Sequence, residues 1–430
     1  MAWDFTTDAA TQTQLDWVDG FVREEVEPLD FVVPNARDMR DPVRQELIPP
    51  LQAEVKRRGL WSTHLSPEWG GQGYGHLHLA LLEEILGRSA TAPMVFGCQS
   101  PDSGNAQIIA RYGTPEQRDR YLRPLLDGEL VSCFSATEPQ SGADPKMFEC
   151  RAELDGDEWV IDGEKWFSSG IEYSAFAIVM VVTEPDADPY HRLSALLVPT
   201  DTPGIRVLRN VGVGVHRGEA IHSYVRYEGV RVPRYSLLGE PGGAFAVMQT
   251  RMSHARLALA TRSLGQMKRA IELMAERAVS RRTQGERLAD KQLVQEHVAD
   301  SWLDYETFRL LVLRTAWKLD QTSDAKAVRA DIAGVKVMLP RVLNSIGARA
   351  AQVHGSLGMS DEMPFVGMVT SALTLGVADG PTEVHKVTLA RQVLRDVQPA
   401  SGVFPSYHLP EQRARAIEKH QAVLARHGRL

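Results

Sequence analysis

The chain has 430 residues, of which 43% are hydrophobic and 24% are charged, and its formal net charge is -7. A chain of this length exceeds one average hydrophobic core and predicts two or three domains, and its composition is that of an ordinary globular protein. The acidic balance argues against a nucleic-acid-binding protein, because such proteins carry a dominant basic field.

Helical patterns dominate residues 1–130. Apolar residues recur at helical spacing before Pro28, and again over Leu79–Leu86 and Pro115–Leu126. Thr114 stands directly before Pro115, and a cap residue followed by proline is typical of a helix start. We therefore predict an N-terminal helical domain over this part of the chain.

Residues 131–243 show a different pattern. Short β-rich runs alternate with turn pairs such as Asp155–Gly156 and Asp162–Gly163. No long helical pattern interrupts them, so we predict a β domain built as an antiparallel sandwich or barrel. The predicted strands are Val131–Thr137, Phe148–Leu154, Glu158–Ser169, Ala175–Thr183, Leu193–Val198, Gly204–Val211 and Ile221–Val232.

Long helical periodicity returns over residues 244–396. Apolar stripes run from Leu257 to Met274, from Val294 to Val312 and from Val328 to Val353. Together with a shorter fourth helix at about 382–396, these stripes predict a four-helix bundle. Residues 397–430 are expected to form a tail with a charged terminal helix. The predicted fold class is α+β, with a helical domain, a β domain and a helical bundle in that order.

Cysteine usage and the apolar runs limit the cellular context. The three cysteines, Cys98, Cys133 and Cys150, are too few and too irregularly spaced for a disulfide framework or a zinc site, which favours a reducing compartment. Met1–Thr6 lacks the basic and apolar regions of a secretory signal, so we expect a cytoplasmic protein. The longest apolar run, Ala175–Val182, is too short to span a bilayer.

Four segments, each containing at least one glycine, stand in this order along the chain: Thr137–Asp144, Ile161–Gly170, Arg281–Gly285 and Ala378–His385. In order and spacing they resemble the signature of the acyl-CoA dehydrogenase family. The resemblance covers residues 10 to 396 and also includes the order of helical, β and helical-bundle domains. It implies FAD as the cofactor.

Further elements narrow the resemblance to one branch of the family. Cys98–Asn105 has the sequence Cys-Gln-Ser-Pro-Asp-Ser-Gly-Asn, and Lys165–Gly170 has the sequence Lys-Trp-Phe-Ser-Ser-Gly. Ala378–Pro381 has the sequence Ala-Asp-Gly-Pro. These elements resemble the members that in some organisms are fused to a kinase-like phosphotransferase domain. We expect no such domain in a chain of this length.

Oxidation of an acyl thioester at Cα–Cβ needs a base for the α proton and an acceptor for the β hydride. The resemblance implies that Asp379 is the base, at a position where most members of the family have a glutamate. Because the aspartate side chain is one methylene shorter, either the backbone lies closer to the substrate or the substrate is displaced. The local sequence alone offers another role, in which Asp379 caps the helix that starts near Pro381.

The resemblance also implies a flavin cradle. Phe134, Ala136 and Thr137 match positions against the isoalloxazine ring. Phe167 stands where a tryptophan usually stacks on the flavin, and Ser169 stands where a threonine usually forms a hydrogen bond near N5. The alternative is that Phe167 and Ser169 are ordinary strand residues, one facing inward and one outward.

Contacts with the rest of FAD are implied by matching positions elsewhere. Ala143 replaces the serine that usually binds the pyrophosphate, and Ser141 is a nearby substitute. Arg281 and Thr283 match residues that reach the FAD diphosphate of a neighbouring subunit, although a solvated helix end would also explain the arginine. The remaining implied cofactor contacts are Gln352, Val353 and Gly355 from a neighbouring subunit, and Thr382 and Glu383 after the base.

Two residues match positions near the acyl-CoA, namely Arg256 and Gly380, and the alternative for Arg256 is a surface arginine. A cofactor site completed by a neighbouring subunit predicts a homodimer or a homotetramer. No metal-binding motif is present in the sequence, so we predict no metal site.

The expected function is α,β-dehydrogenation of an acyl-CoA thioester, with the β hydride passing to flavin N5 and the electrons then passing to an electron-transfer flavoprotein. Two alternatives remain open. One is a flavin oxidase on a substrate without CoA, as in the nitroalkane oxidases, which resemble this family and also use an aspartate base. The other is a non-catalytic member, which the departures at Phe134 and Ala143 favour.

Overall fold

The structure is a computed structural model that describes residues 5–213, 221–322 and 327–429. The first four residues, on which the expectation about a secretory signal partly rests, lie outside the described residues. Helices occupy both ends of the described chain and strands its middle, which confirms the predicted fold class. The helices are α1 (Ala9–Phe21), α2 (Pro42–Arg57), α3 (Gly75–Leu86), α4 (Ala92–Val95), α5 (Asp102–Tyr112), α6 (Pro115–Gln117), α7 (Arg123–Asp127), α8 (Ala244–Ser280), α9 (Gln292–Asp320), α10 (Arg329–His354), α11 (Phe365–Leu375), α12 (Thr382–Leu394) and α13 (Leu409–Arg426).

Side-chain caps set the starts of helices in the N-terminal region. Asp8 accepts a hydrogen bond from the backbone N–H of Thr11 at the start of α1 (2.9 Å). Thr114 and Gln117 form a reciprocal capping box at the start of α6, which confirms the helix start predicted at Pro115. The apolar faces of α1 to α4 meet in one core. Local sequence signals thus set these boundaries, and burial of the apolar faces stabilises the helices.

The strands of the middle region form one mixed sheet. They are β1 (Ser132–Ser135), β2 (Arg151–Asp155), β3 (Glu158–Ser169), β4 (Phe176–Val182), β5 (Leu193–Pro199), β6 (Ile205–Val211), β7 (His222–Pro233) and β8 (Leu237–Leu238). Within the described residues their order is β6–β7–β3–β2–β4–β5–β8, and β1 pairs with β4. Most neighbours are antiparallel, as predicted, but β1 runs parallel to β4, and the single residue pair between β2 and β4 is also parallel. This difference arises because the hairpin of β2 and β3 separates β1 from β4 along the chain, so the two strands enter the sheet in the same direction.

Strand β4 joins two hydrophobic cores. All of its residues are buried. Phe176 and Ile178 face a core shared with α5 and the start of α8, whereas Ala177 and Val179 face the core of the sheet itself. Because successive side chains of a strand point to opposite faces, this strand packs on both sides. It thereby holds its neighbour β1 in a fixed position.

The C-terminal bundle has a different fourth helix from the one predicted. Helices α8, α9, α10 and α11 share one core, to which α11 contributes Phe365, Met368 and Ala372. The predicted fourth helix exists as α12, but among the described residues it buries only His385. The sequence of α11 is a short apolar run, and periodicity alone does not distinguish such a run from a strand. Helix α10 continues through Pro340.

Helix α3 fixes the N-terminal domain on the bundle. At its start, the carboxylate of Asp320 from α9 accepts hydrogen bonds from the backbone N–H groups of His76 (2.6 Å) and Leu77 (2.9 Å). Near its end, a Cβ added to Gly265 of α8 would lie 2.2 Å from the carbonyl oxygen of Glu84. The two helices therefore touch backbone to backbone, which only glycine allows. The domains are held in register at both ends of α3.

The tail helix α13 has no buried side chain among the described residues, and Val403 and Tyr407 before it are exposed. No helix in the described ranges has both the length and the hydropathy needed to cross a bilayer. The three cysteines are free and buried. Burial raises the pKa of the Cys98 and Cys133 thiols to about 12.

Candidate active site

The turn between α11 and α12 carries the predicted base. Asp379 and Gly380 have φ values of +55° and +99°, a conformation that is strained for a residue with a Cβ. A Cβ added to Gly380 would also lie 2.9 Å from Nε2 of His385. The alternative role of Asp379 as a helix cap is wrong, because Pro381 occupies the cap position and no side chain caps α12. The strained conformation at Asp379 therefore has another reason.

Side chains from two helices hold the backbone of this turn. Nε of Arg256 on α8 donates a hydrogen bond to the carbonyl oxygen of Asp379 (3.1 Å), and Nε2 of His385 on α12 donates to the same oxygen (3.3 Å). The backbone N–H and the hydroxyl of Thr382 both donate to the carbonyl oxygen of Gly376 (2.9 and 3.1 Å). The acceptors of these hydrogen bonds are backbone oxygens, and the half-buried carboxylate of Asp379 takes no part in them.

Four basic side chains surround Asp379 closely enough to feel its charge. They are Arg251 and Arg256 from α8, Lys336 from α10 and His385 from α12, and we call them the basic cluster. Burial lowers the pKa of each, that of Lys336 to about 8, and the negative charge of Asp379 acts in the opposite direction. An excess of positive charge in a poorly solvated region stabilises negative charge that develops beside it.

The residues predicted at the flavin ring lie in the second half of β1 and directly after it, beside the basic cluster. Phe134 is the third residue of β1, and the guanidinium of Arg251 lies over its ring, 4.1 Å from the centroid. Thr137 lies two residues beyond the end of β1, and its carbonyl oxygen accepts a hydrogen bond from the N–H of Trp166 (2.7 Å). This bond ties the segment after β1 to β3.

Residues of the element Cys98–Asn105 hold the side chain of Arg251 in position. Asn105 accepts a hydrogen bond from Nε of Arg251 (3.0 Å) and donates to the hydroxyl of Ser132 (2.9 Å). Asp102 accepts from the N–H and the hydroxyl of Ser132 (2.7 and 2.6 Å). A Cβ added to Gly104 would lie 3.0 Å from Cγ of Arg251. The element thus makes room for the arginine and connects it to β1.

A buried ion pair, to which the sequence analysis assigned no role, supports the same segment. The side chains of Lys165 and Glu138 are 0% and 1% exposed, and Nζ lies 2.7 Å from Oε1. Nζ of Lys165 also donates to the carbonyl oxygen of Ala136 (2.9 Å). Glu138 accepts further hydrogen bonds from the backbone N–H groups of Glu149 and Cys150 (2.7 and 3.0 Å). Both residues belong to motifs that the sequence displays, but their contact depends on tertiary pairing.

A bulge in β3 presents the two residues predicted to face the flavin. The register with β7 shifts at Phe167, whose φ is +55°. Its ring is 43% exposed and stacks on Trp166, with 5.0 Å between the ring centroids. Ser169 is paired again with β7, opposite His222, and its Oγ lies 2.6 Å from Nδ1 of that histidine. An exposed aromatic face and a hydroxyl are therefore two residues apart at the end of one strand.

The loop that should bind the pyrophosphate differs from the expected pattern. Ala143 is exposed and offers no hydroxyl. The suggested substitute, Ser141, donates its hydroxyl hydrogen to the carbonyl oxygen of Asp144 (2.6 Å). That hydroxyl is used to hold the loop, so we predict that backbone N–H groups there contact the phosphate.

The predicted partner-side residues lie at the far end of the bundle. Arg256 lies in the first half of α8 and Arg281 follows its last residue, so they are ~37 Å apart at ~1.5 Å per residue. Thr283 is exposed in the hairpin of β9 (Arg282–Thr283) and β10 (Glu286–Arg287). The end of α10 lies close by, since the charge of Arg277 lowers the pKa of His354 in addition to burial.

Apart from the residues of β1, β3 and the loop between them, the predicted site residues form two groups. The end of α10 carries exposed Gln352 and Gly355 and buried Val353, near Arg281. The second group surrounds Asp379 and comprises Gly380, Arg256, Thr382 and, exposed in the first turn of α12, Glu383. A single chain does not bring the two groups together.

Three family models match successive parts of the chain. The acyl-CoA dehydrogenase N-terminal domain matches residues 9–129, the middle domain matches 133–230, and the C-terminal domain matches 242–394. The chain belongs to the acyl-CoA dehydrogenase family. Acyl-CoA dehydrogenases are FAD-dependent oxidoreductases that act on acyl-CoA substrates and form oligomers. The family resemblance found in the sequence is confirmed.

Individual acyl-CoA dehydrogenases resemble most of the chain. The Mycobacterium tuberculosis protein FadE2, a probable acyl-CoA dehydrogenase, is 36% identical over 395 residues, which cover 91% of this chain and 93% of FadE2. Acyl-CoA dehydrogenase family member 11 of Gallus gallus is 38% identical over 355 residues, but this chain spans only 45% of its length. A Mycobacterium abscessus structure, provisionally assigned as an acyl-CoA dehydrogenase, is 34% identical with a TM-score of 0.83, covering 91% of this chain and 99% of that one.

Proposed function

We propose that this family member oxidises the Cα–Cβ bond of an acyl-CoA thioester, with Asp379 as the base. The observation that carries the proposal is the turn at Asp379. Its φ is +55°, its carbonyl oxygen accepts hydrogen bonds from Arg256 and His385, and its side chain does not cap α12. Strained conformations persist where the surrounding structure enforces them, and they cluster at functional sites. The geometry supports a carboxylate presented to a ligand.

The residues at the end of β1 and in the bulge of β3 fit an isoalloxazine ring. Phe167 offers an exposed aromatic face, Ser169 offers a hydroxyl, and Thr137 lies on the segment bonded to the same bulged strand. Bound FAD would supply the hydride acceptor, which no side chain can provide. The guanidinium of Arg281 suits a diphosphate because its planar fork pairs with two oxygens.

The chain's own residues would act on the substrate as follows. Asp379 takes the α proton when the Cα–H bond breaks, while the β hydrogen leaves with its electron pair and a Cα–Cβ double bond forms. As the α proton leaves, negative charge develops on the thioester oxygen. The basic cluster surrounds Asp379, and fixed positive charge close to the developing negative charge would lower the barrier without reorganisation. Gly380 follows the base in the sequence, and because it has no Cβ it would let the backbone of the turn lie close to the substrate.

The same arrangement supports an oligomer as the working unit. Thr382, beside the turn of Asp379, and Arg281, after the last residue of α8, belong to the two separate groups, so a cofactor that contacts both must bridge two copies of the chain. We infer that a homodimer is the smallest active assembly and that an electron-transfer flavoprotein accepts the electrons.

The proposal is tested by anaerobic titration of the purified protein with acyl-CoA thioesters of different chain class, while the visible flavin band is recorded. We expect one class to bleach the band. Rapid hydrogen peroxide formation from a substrate without CoA, with no response to any thioester, would favour the flavin oxidase, and protein that binds no FAD would favour the non-catalytic member.

The base is tested by Asp379→Asn, with Asp361→Asn as a matched control at an exposed carboxylate outside the site. We expect Asp379→Asn to retain FAD and to reduce it more slowly by a factor on the order of 100 to 10,000, which is the usual contribution of a general base. The control should react at the wild-type rate. Undiminished flavin reduction by Asp379→Asn would contradict the assignment.

A further inference from the structure

His222 contacts both residues that are proposed to face the flavin. Its Nδ1 lies 2.6 Å from Oγ of Ser169, and its ring centroid lies 5.7 Å from that of Phe167. It is half-buried at the start of β7, directly opposite Ser169 in the strand ladder. The family resemblance assigns no role to this histidine.

The direction of the hydrogen bond between Ser169 and His222 decides what the serine can offer. A serine hydroxyl has a single hydrogen, and a neutral imidazole has one donor and one acceptor nitrogen. If Nδ1 accepts, the hydrogen of Ser169 is used within the protein. If Nδ1–H donates, Oγ is satisfied as an acceptor and its hydrogen remains available to a ligand.

Among the described residues, the other contact of the Ser169 hydroxyl competes weakly for that hydrogen. The contact between Oγ of Ser169 and the carbonyl oxygen of Phe167 is 3.4 Å long, beyond the range of a good O–H···O hydrogen bond. The contact with Nδ1, at 2.6 Å, is short and therefore fixes the position of Oγ. Only the orientation of the hydroxyl hydrogen is left to be set by the imidazole.

We propose that His222 is a positioning residue whose Nδ1–H donates to Oγ of Ser169, so that the serine hydroxyl donates to flavin N5. The inference rests on the proposed flavin contact of Ser169. Burial lowers the pKa of His222, which keeps the ring neutral at neutral pH and makes the tautomer, rather than the charge, the relevant variable.

The test is a double-mutant cycle of His222→Leu and Ser169→Ala, with the FAD dissociation constant and the flavin midpoint potential as readouts. His222→Leu should weaken FAD binding about three- to tenfold, the usual range for one hydrogen bond. The potential should rise, because oxidised N5 accepts this hydrogen bond and reduced N5, which carries hydrogen, does not. In the Ser169→Ala background, His222→Leu should change neither readout.

A conservative variant separates hydrogen bonding from packing. The side-chain nitrogen of Asn and Nδ1 of histidine are both two bonds from Cβ. His222→Asn should therefore keep both readouts close to their wild-type values. Leu has the same branched shape as Asn but no hydrogen-bond donor. Equal effects of His222→Leu with and without the Ser169 hydroxyl would overturn the proposal, as would failure of His222→Asn to restore either readout.

A measurement on the unmodified holoenzyme covers the case in which a variant does not fold. Isotopically labelled histidine distinguishes the two imidazole tautomers by NMR. Hydrogen on Nδ1 of His222 is expected, and hydrogen on Nε2 alone would refute the proposal. Failure of the proposed function is recognised separately, as protein that binds no FAD or that no thioester reduces.

Discussion

Replacing Lys165 by methionine should destabilise the sheet strongly and weaken FAD binding with it. The ammonium is fully buried, lies 2.7 Å from Oε1 of Glu138 and also donates to the carbonyl oxygen of Ala136. Methionine has a similar volume but no donor. Lys165→Met therefore leaves the carboxylate of Glu138 buried without its counter-charge and removes the bond that holds the segment before Thr137.

The magnitude follows from burial on both sides of the pair. Breaking a buried ion pair by removing one partner costs about 3–5 kcal/mol, because the remaining charge is neither solvated nor neutralised. Glu138 keeps the hydrogen bonds from the backbone N–H groups of Glu149 and Cys150, which limit the loss to the lower part of that range. Replacing Glu138 by glutamine in the same molecule should recover part of it.

The assay is urea unfolding of the FAD-free protein, followed by FAD titration of the folded variant. Arg231→Met is the matched control, because Arg231 pairs with Asp155 on the same sheet at the same distance of 2.7 Å, but the two side chains are 50% and 66% exposed. The control should lose little stability, because an exposed ion pair is solvated and screened by salt. The reasoning is refuted if Lys165→Met loses no more stability than Arg231→Met.

Two further substitutions probe the turn of the base and its surroundings. Gly380→Ala should leave FAD bound but slow flavin reduction by a factor on the order of 100. The added methyl group is strained at φ of +99° and clashes with His385, so the turn moves and displaces Asp379. Flavin reduction at the wild-type rate in a stopped-flow experiment would contradict this. In Lys336→Met, the rise of unfolding free energy from pH 8 to 10.5 should be smaller than in wild type. Burial lowers the pKa of Lys336 from 10.5 to about 8. Between these two pH values the unfolded chain binds more protons than the folded chain, so the stability of the wild-type protein increases with pH. Identical pH profiles of the unfolding free energy for Lys336→Met and wild type would exclude this contribution of Lys336.

The sequence predicts the strands well where alternation and turn residues agree. The observed bounds of β3, Glu158–Ser169, are those predicted, because a turn pair precedes the strand and Gly170 follows it. The parallel pairing of β1 with β4 was missed, since pairing depends on the path of the chain rather than on local pattern. Helix α11 was missed because a short apolar run has no distinctive period.

The site shows the same division. The family resemblance predicts the turn of Asp379 and the strand end of Phe167 as parts of the site, because the motifs that carry it include both segments. The pairing of Lys165 with Glu138 and the contact of His222 with Ser169 join segments 27 and 53 positions apart. Nothing in either segment alone specifies its partner, so these contacts appear only when the sheet is assembled.

The length of α8 determines whether one chain alone can retain the cofactor. Thr382 lies beside the turn of Asp379 and Arg281 follows the last residue of α8, so a cofactor that needs both is a cofactor of the assembly and not of the single chain. Its binding free energy is then added to that of subunit association. Dilution would separate the subunits and release the cofactor together. Bound cofactor would oppose dissociation of the subunits, and subunit association would oppose release of the cofactor.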